Sequence, residues 1–122
     1  SEFKNKLSKK FNLKQIFNYY GMVEQTGSIF VECKEGYFHT SLFNDIIIRD
    51  VATLKIKDIN KPGVVQTLSL LPISYPGHSI LTEDIGIIKG LDNCKCGIKG
   101  KYFEILGRLE KAEIRGCSDT YE

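Results

Sequence analysis

The stretch Ile80-Leu81-Thr82-Glu83-Asp84-Ile85-Gly86-Ile87-Ile88-Lys89 decides the fold. It is rich in β-branched isoleucine and lies between the turn signals Tyr75-Pro76-Gly77 and Leu91-Asp92-Asn93, so it reads as a strand between two reversals. From Gly27 onward the same pattern repeats, with strand-like stretches at residues 28–32, 37–41, 45–50, 64–71, 80–89, 101–106 and 112–115. Lys34-Glu35-Gly36 and Asn60-Lys61-Pro62-Gly63 supply further turns. Ahead of them Phe3, Leu7 and Phe11 recur at every fourth position and line one helix face, while Lys4, Lys6, Lys9, Lys10 and Lys14 stay outside it. Asn12 and Leu13 end that helix before the short apolar run 16–20. The expected fold is mainly β (α+β): a mostly antiparallel sheet or distorted barrel with a leading N-terminal helix.

The 122 residues, 42% apolar and 26% charged, have the make-up of one compact domain and exclude disorder and collagen-like repetition. No run approaches the roughly 18 apolar residues of a membrane span. Seventeen Lys and Arg against fifteen Asp and Glu give a net charge of +2, too balanced for a dedicated nucleic-acid binder. The lysine cluster at the N-terminus reads as the solvated face of a helix, ahead of the alternative of a phosphate-binding patch. Ser1 and the single Met22 suggest a chain cut from something longer, and residues 1–10 contain no apolar signal region, so the expected compartment is the cytoplasm. Four cysteines, two of them one residue apart, read as reduced thiols or metal ligands rather than disulfides.

Cys33 with His39, and Cys94 with Cys96 before Gly97, form the first chemical constellation. Zn²⁺ takes four such ligands in a tetrahedron, and a hairpin turning at Gly36 sets Cys33 and His39 across from each other. The competing reading is buried thiols with a surface histidine. His78 reads as a turn residue beside Pro76-Gly77. The other constellations are Tyr20-Gly21-Met22-Val23-Glu24 after an apolar run, Thr82-Glu83-Asp84 inside an apolar strand, and Gly107-Arg108 followed by Glu110. Acidic groups in such a strand cost stability unless solvated or paired.

The order of these groups along residues 18–117 resembles the adenylate-forming ligases. Within them it resembles the branch of phenylacetate-CoA ligases and of the fatty acyl-protein synthetases of bacterial luminescence operons. Tyr20-Gly21-Met22-Val23-Glu24 is similar to that family's Tyr-Gly-x-(Thr/Ser)-Glu motif, and Thr82-Glu83-Asp84 to its Thr-x-Asp motif. Glu32-Cys33 with Gly36 and His39, and Cys94-x-Cys96-Gly97, resemble the Glu-Cys…Gly-x-His and Cys-x-Cys-Gly-Arg stretches of the phenylacetate branch. Gly107-Arg108-x-Glu110 resembles the Gly-Arg-x-Asp hinge. Val23, Glu83, Ile98 and Glu110 depart from the usual residues.

The resemblance implies the C-terminal third of an adenylate-forming core: residues 1–17 as helix and linker, 18–110 as a β-rich nucleotide-site portion with a zinc site, and 111–122 as a tail after the hinge. It implies that Tyr20 stacks on adenine, Asp84 receives the ribose hydroxyls, Arg108 contacts ribose or phosphate, and Glu24 holds the Mg²⁺ of ATP. Glu110 becomes the hinge, and Cys33, His39, Cys94 and Cys96 become ligands of a structural zinc. Nothing here resembles the family's phosphate loop or catalytic lid, so residues 1–122 alone are expected to be inactive. In the acyl-protein synthetases a near-terminal cysteine takes the acyl group, which implies Cys117 as a nucleophile; its plainer reading is a small apolar residue. The expected function is activation of a fatty carboxylic acid as acyl-AMP and transfer to an enzyme thiol, with an acyl reductase as partner and homo-oligomerisation open. The alternatives are an acid:CoA ligase of the phenylacetate type, with an aromatic acid as substrate, and a non-catalytic zinc-stabilised β module that binds another protein.

Overall fold

The structure, a computed structural model, describes residues 2–110. Helix α1 (Glu2–Phe11) has Glu2 in its first turn and Lys9 and Lys10 in its last, the placement its dipole favours. It ends at Asn12, whose φ of 51° is left-handed, and the Leu13 N–H donates back to the Ser8 carbonyl at 3.0 Å, which closes the helix with a Schellman turn. None of its residues is buried. The Lys4 ammonium ties it to the body through Glu32, which also accepts the Asn18 N–H at 2.7 Å. Burial opposes the charge of Glu32, but Lys4 and Asn18 outweigh it and hold the carboxyl below its ordinary range. No helix among the described residues is long and apolar enough to cross a membrane.

β1 (Tyr19–Tyr20) pairs antiparallel with β2 (Phe30–Val31), and a turn of 3-10 helix, Val23–Gln25, lies between them. β3 (Phe38–His39), β4 (Asn44–Arg49), β5 (Gly63–Ser69), β6 (Ser79–Leu91) and β7 (Lys101–Arg108) form a second, five-stranded sheet. Its order is β3-β7-β6-β5-β4, antiparallel at every pair. Among the described residues both sheets are open and no barrel closes. The strands expected at 28–32 and 37–41 shorten to two residues each, because β2 pairs only with Tyr19 and Tyr20 and β3 only with Tyr102 and Phe103. The stretch 112–115 lies outside the described residues.

β4 turns Asn44, Ile46 and Ile48 inward and leaves the alternate residues half-buried, the period of a sheet with one covered face. Ile46, Ile48, Val65, Ile88 and Phe103 meet Phe30 of β2, with Tyr20, Phe38 and Ile105 packed around them. Phe30 and Phe103 stand edge to face at 5.3 Å, a favoured aromatic geometry. Gly86 lets the strands approach: a Cβ there would lie 2.6 Å from the Val65 side chain and 3.0 Å from the Glu104 carbonyl. The register of β6 on β7 slips beside it, between Ile85 and Gly86, and beyond the slip Asp84 faces Arg108. Such bulges re-aim the side chains next to them.

Candidate functional site

Two clusters lie at opposite ends of the β6–β7 ladder. At its Leu91–Lys101 end, two hairpins bring Cys33, His39, Cys94 and Cys96 together, with every ligand atom within 4.8 Å of the others. In the first hairpin the Cys33 N–H donates to the Tyr37 carbonyl and the Gly36 N–H to the Cys33 carbonyl, with Gly36 at a φ of 85° that suits glycine. In the second the Gly97 N–H donates to the Cys94 carbonyl, and the Ile98 N–H reaches the Cys96 Sγ at 3.3 Å. The β3–β7 pairing sets His39 opposite Tyr102, on whose ring the imidazole stacks, and so joins the two hairpins.

The Cys33 and Cys94 sulfurs are 4.0 Å apart, and Cys96 Sγ lies 3.4 Å from His39 Nε2. A tetrahedral zinc site has sulfur–sulfur edges of about 3.8 Å and sulfur–nitrogen edges of about 3.5 Å, from its metal–ligand bond lengths. Burial lowers the pKa of His39 and so favours the neutral imidazole, the ligating form. Its Nδ1 is buried with no hydrogen-bond partner among the described residues. Burial pushes the Cys94 thiol up to about 11, and the neighbouring thiols add to this. Burial opposes ionisation of Cys96 too, but the Ile98 N–H, the neighbouring thiols and Lys34 outweigh it and hold that thiol below its ordinary value. Three thiols and an imidazole converging at these separations form a donor set that fits a soft, tetrahedral divalent metal, which binds cysteine as the thiolate.

At the other end, Asp84 is gripped from two sides. The Tyr20 hydroxyl donates to Asp84 Oδ2 at 2.7 Å, and Arg108 Nε lies 3.5 Å from Oδ1. Arg108 Nη2 also donates to Glu83 Oε2 at 3.1 Å, and the Leu109 N–H to the Glu83 carbonyl at 2.9 Å. Thr82 braces the strand: its hydroxyl donates to the Val65 carbonyl at 2.8 Å and accepts the Asp84 N–H at 3.1 Å. The acidic pair inside an apolar strand is thus paired rather than stranded. The Tyr20 ring packs 6.0–6.2 Å from Phe30, Phe38 and Phe103 and borders an open cleft of 580 Å³ shared with Tyr19, Glu32 and Glu104. Burial, and after it the Asp84 carboxylate, push the Tyr20 phenol far above its ordinary pKa, so it stays a proton donor.

Tyr20, Asp84 and Arg108, from three separate motifs, therefore meet. Glu24 and Glu110 are exposed and form no ion pair with that cluster, and Cys117 lies outside the described residues. His78 is exposed in its turn, as expected. The sequence did not disclose Gln25, which is 1% exposed and donates from Nε2 to the Gly77 carbonyl at 2.8 Å. With the Thr26 N–H on the Tyr75 hydroxyl at 3.1 Å, it fixes the turn that carries Glu24. A polar residue buried against a distant loop carbonyl leaves no periodic signal.

A family model described as "Acyl-protein synthetase, LuxE" matches residues 1–122. No curated protein matches the chain significantly. Among solved structures, the luciferase-like enzyme from the nonluminescent Zophobas morio mealworm is similar with a TM-score of 0.62 at 17% identity, over 89% of this chain and 29% of that one. The ATP-bound RpMatB-BxBclM chimera B3 is similar with a TM-score of 0.57 at 17% identity, over 88% of this chain and 23% of that one. The fold is thus similar to that of adenylate-forming enzymes, and the chain spans less than a third of each of these two proteins.

Proposed function

This chain belongs to the acyl-protein synthetase family LuxE, and on that premise we propose that it forms the nucleotide-binding portion of an ATP-dependent acyl-activating ligase. The observation that carries the reading is the meeting of Tyr20, Asp84 and Arg108 at one end of the β6–β7 ladder. A carboxylate with a lone pair left on each oxygen suits two neighbouring hydroxyls of a ribose, and a guanidinium beside it suits a phosphate. Glu24, displayed on its turn with no ion-pair partner among the described residues, is placed to bind the Mg²⁺ of ATP. Glu110 follows Arg108 as the hinge residue.

In the reaction, an oxygen of a fatty carboxylate attacks the α-phosphorus of Mg-ATP, the bond to the β-phosphate oxygen breaks, and pyrophosphate leaves. The acyl-AMP that forms has a good leaving group where the acid had a poor one. The Cys117 thiol, losing its proton to a base or to solvent, then attacks the acyl carbon. The carbon–oxygen bond to AMP breaks, and a thioester remains on the protein. Cys33, His39, Cys94 and Cys96 would hold a zinc ion that pins the two hairpins; four protein ligands leave no open position for chemistry.

The test uses the full-length enzyme. Cys117→Ser is expected to keep ATP–pyrophosphate exchange at the wild-type rate while abolishing hydroxylamine-labile labelling by a fatty acid. Labelling that persists, or wild-type transfer to coenzyme A alone, moves the reading to an acid:CoA ligase.

A further inference from the structure

The nucleotide reading leaves open which part of Tyr20 does the work, and the structure separates the two ends of that side chain. The ring is fixed by three aromatic neighbours in the core, whereas the hydroxyl reaches Asp84, 64 residues further along the chain, at 2.7 Å. We propose that Tyr20 is a positioning residue whose hydroxyl, anchored through that ring, fixes the Asp84 carboxylate in the orientation that receives a vicinal diol. The inference rests on the nucleotide reading above and specifies how one of its residues acts.

An aspartate carboxylate turns freely about its last torsion, which is broad and two-fold. Unheld, it would offer a pair of hydroxyls a spread of orientations. Here Oδ2 accepts the Tyr20 hydroxyl and Oδ1 faces Arg108 Nε at 3.5 Å. A carboxylate has about four lone-pair sites; the Tyr20 hydroxyl takes one on Oδ2 and Arg108 stands beside Oδ1 as an ion pair, so both oxygens keep acceptor sites. That remainder matches two adjacent hydroxyls and not one. Arg108 is itself steadied by Glu83, so the Tyr20 hydroxyl and the guanidinium grip Asp84 from opposite oxygens. Because burial keeps the phenol protonated well past neutral pH, the donor is present throughout the working range. Stacking on a base, by contrast, uses only the ring face and would leave the hydroxyl without a function.

Tyr20→Phe in the full-length enzyme removes the hydroxyl and keeps the ring, so core packing is retained and the melting temperature reports on any general damage. In ATP–pyrophosphate exchange we expect the KM for ATP to rise about tenfold with kcat close to wild type, the scale of one hydrogen bond to a charged group. The preference for ATP over 2′-deoxy-ATP is expected to narrow, because a loosened carboxylate gains less from the second hydroxyl. In an Asp84→Asn background the same substitution should change KM no further. Wild-type KM and sugar preference in Tyr20→Phe, with Asp84→Asn impaired, would overturn the role of the hydroxyl and leave ring stacking. Additive losses in the double variant would overturn it as well. If Asp84→Asn itself leaves the KM for ATP unchanged, the nucleotide reading fails and the proposal fails with it.

Discussion

At the Leu91–Lys101 end of the β6–β7 ladder, three thiols and an imidazole crowd into a space defined by two tight hairpins; at the Asp84–Arg108 end, a carboxylate, a guanidinium and a phenol meet from segments far apart in sequence. The first cluster is buried and nearly self-contained, and its ligand atoms lie within 4.8 Å of one another, a spacing that suits a cation among them. The second is half-exposed and sets the carboxylates of Asp84 and Glu83 around one guanidinium, with acceptor sites to spare for a ligand. One end is therefore suited to hold the fold and the other to bind. From Asp84 to Leu91 the ladder runs about 23 Å at ~3.3 Å per residue, far enough for substitutions at the two ends to act additively.

The largest effect is expected at the thiol end. Protein purified without chelator should contain one zinc per chain, and Cys94→Ser or stripping with a strong chelator should remove it and abolish the cooperative thermal transition. Structural zinc contributes about 10–16 kcal/mol in small zinc domains, comparable with the ~5–15 kcal/mol total stability of an ordinary domain. Substitutions at the polar end should leave the zinc content untouched. A metal-free preparation that melts like the holoprotein would break the contrast between the two ends.

At the polar end the effects should be smaller in stability and visible in kinetics. Glu24 is exposed and has no ion pair among the described residues, so Glu24→Gln costs no packing there, and loss of activity without loss of stability is functional. In the full-length enzyme it should lower the adenylation rate through weaker Mg²⁺ binding. Asp84→Asn should mainly raise the KM for ATP, by about 10- to 100-fold, the loss of one to two charge-assisted hydrogen bonds. Steady-state ATP–pyrophosphate exchange measures both. Wild-type kinetics in the two variants would remove the binding role from this end.

The contrast between the ends also explains what the sequence disclosed. The thiol end was legible because its chemistry is local: Cys33, Gly36 and His39 lie within one hairpin, Cys94, Cys96 and Gly97 within another, and ligand type and turn type agree. The contact between Tyr20 and Asp84 was not legible from spacing, since nothing local says that a side chain of β1 in one sheet reaches β6 in the other; only the order of the motifs hinted at it. Strand positions were readable from β-branched runs and Pro-Gly turns, yet β3 came out shorter than its composition suggested. Pairing needs a partner as well as a propensity, and β3 has two residues opposite it. Gln25 was missed for the same reason: its partner, the Gly77 carbonyl, is 52 residues away.

The smallest expected effect sharpens the comparison at alkaline pH. The folded-state pKa of Tyr20 is raised, first by burial and then by Asp84, whereas in the unfolded chain it returns to an ordinary value near 10. Below that value both states hold the proton and Tyr20 adds no pH dependence. As pH rises through it, the unfolded chain releases the proton while the folded protein keeps it, so the stability associated with the neutral phenol is progressively lost. The loss amounts to less than about 1 kcal/mol up to roughly pH 10.5 for a single group. Thiols titrate in the same range, so the informative quantity is the difference between wild type and Tyr20→Phe, in which the thiol end is unchanged and cancels. Urea unfolding at a series of pH values from 8.5 to 10.5 should show wild type falling more steeply than Tyr20→Phe, with the two curves parallel below about pH 9. Curves that stay parallel to the top of that range would mean that Tyr20 ionises as easily folded as unfolded. The phenol would then be neither buried nor held against a carboxylate, and the polar end would lose the fixed geometry that distinguishes it.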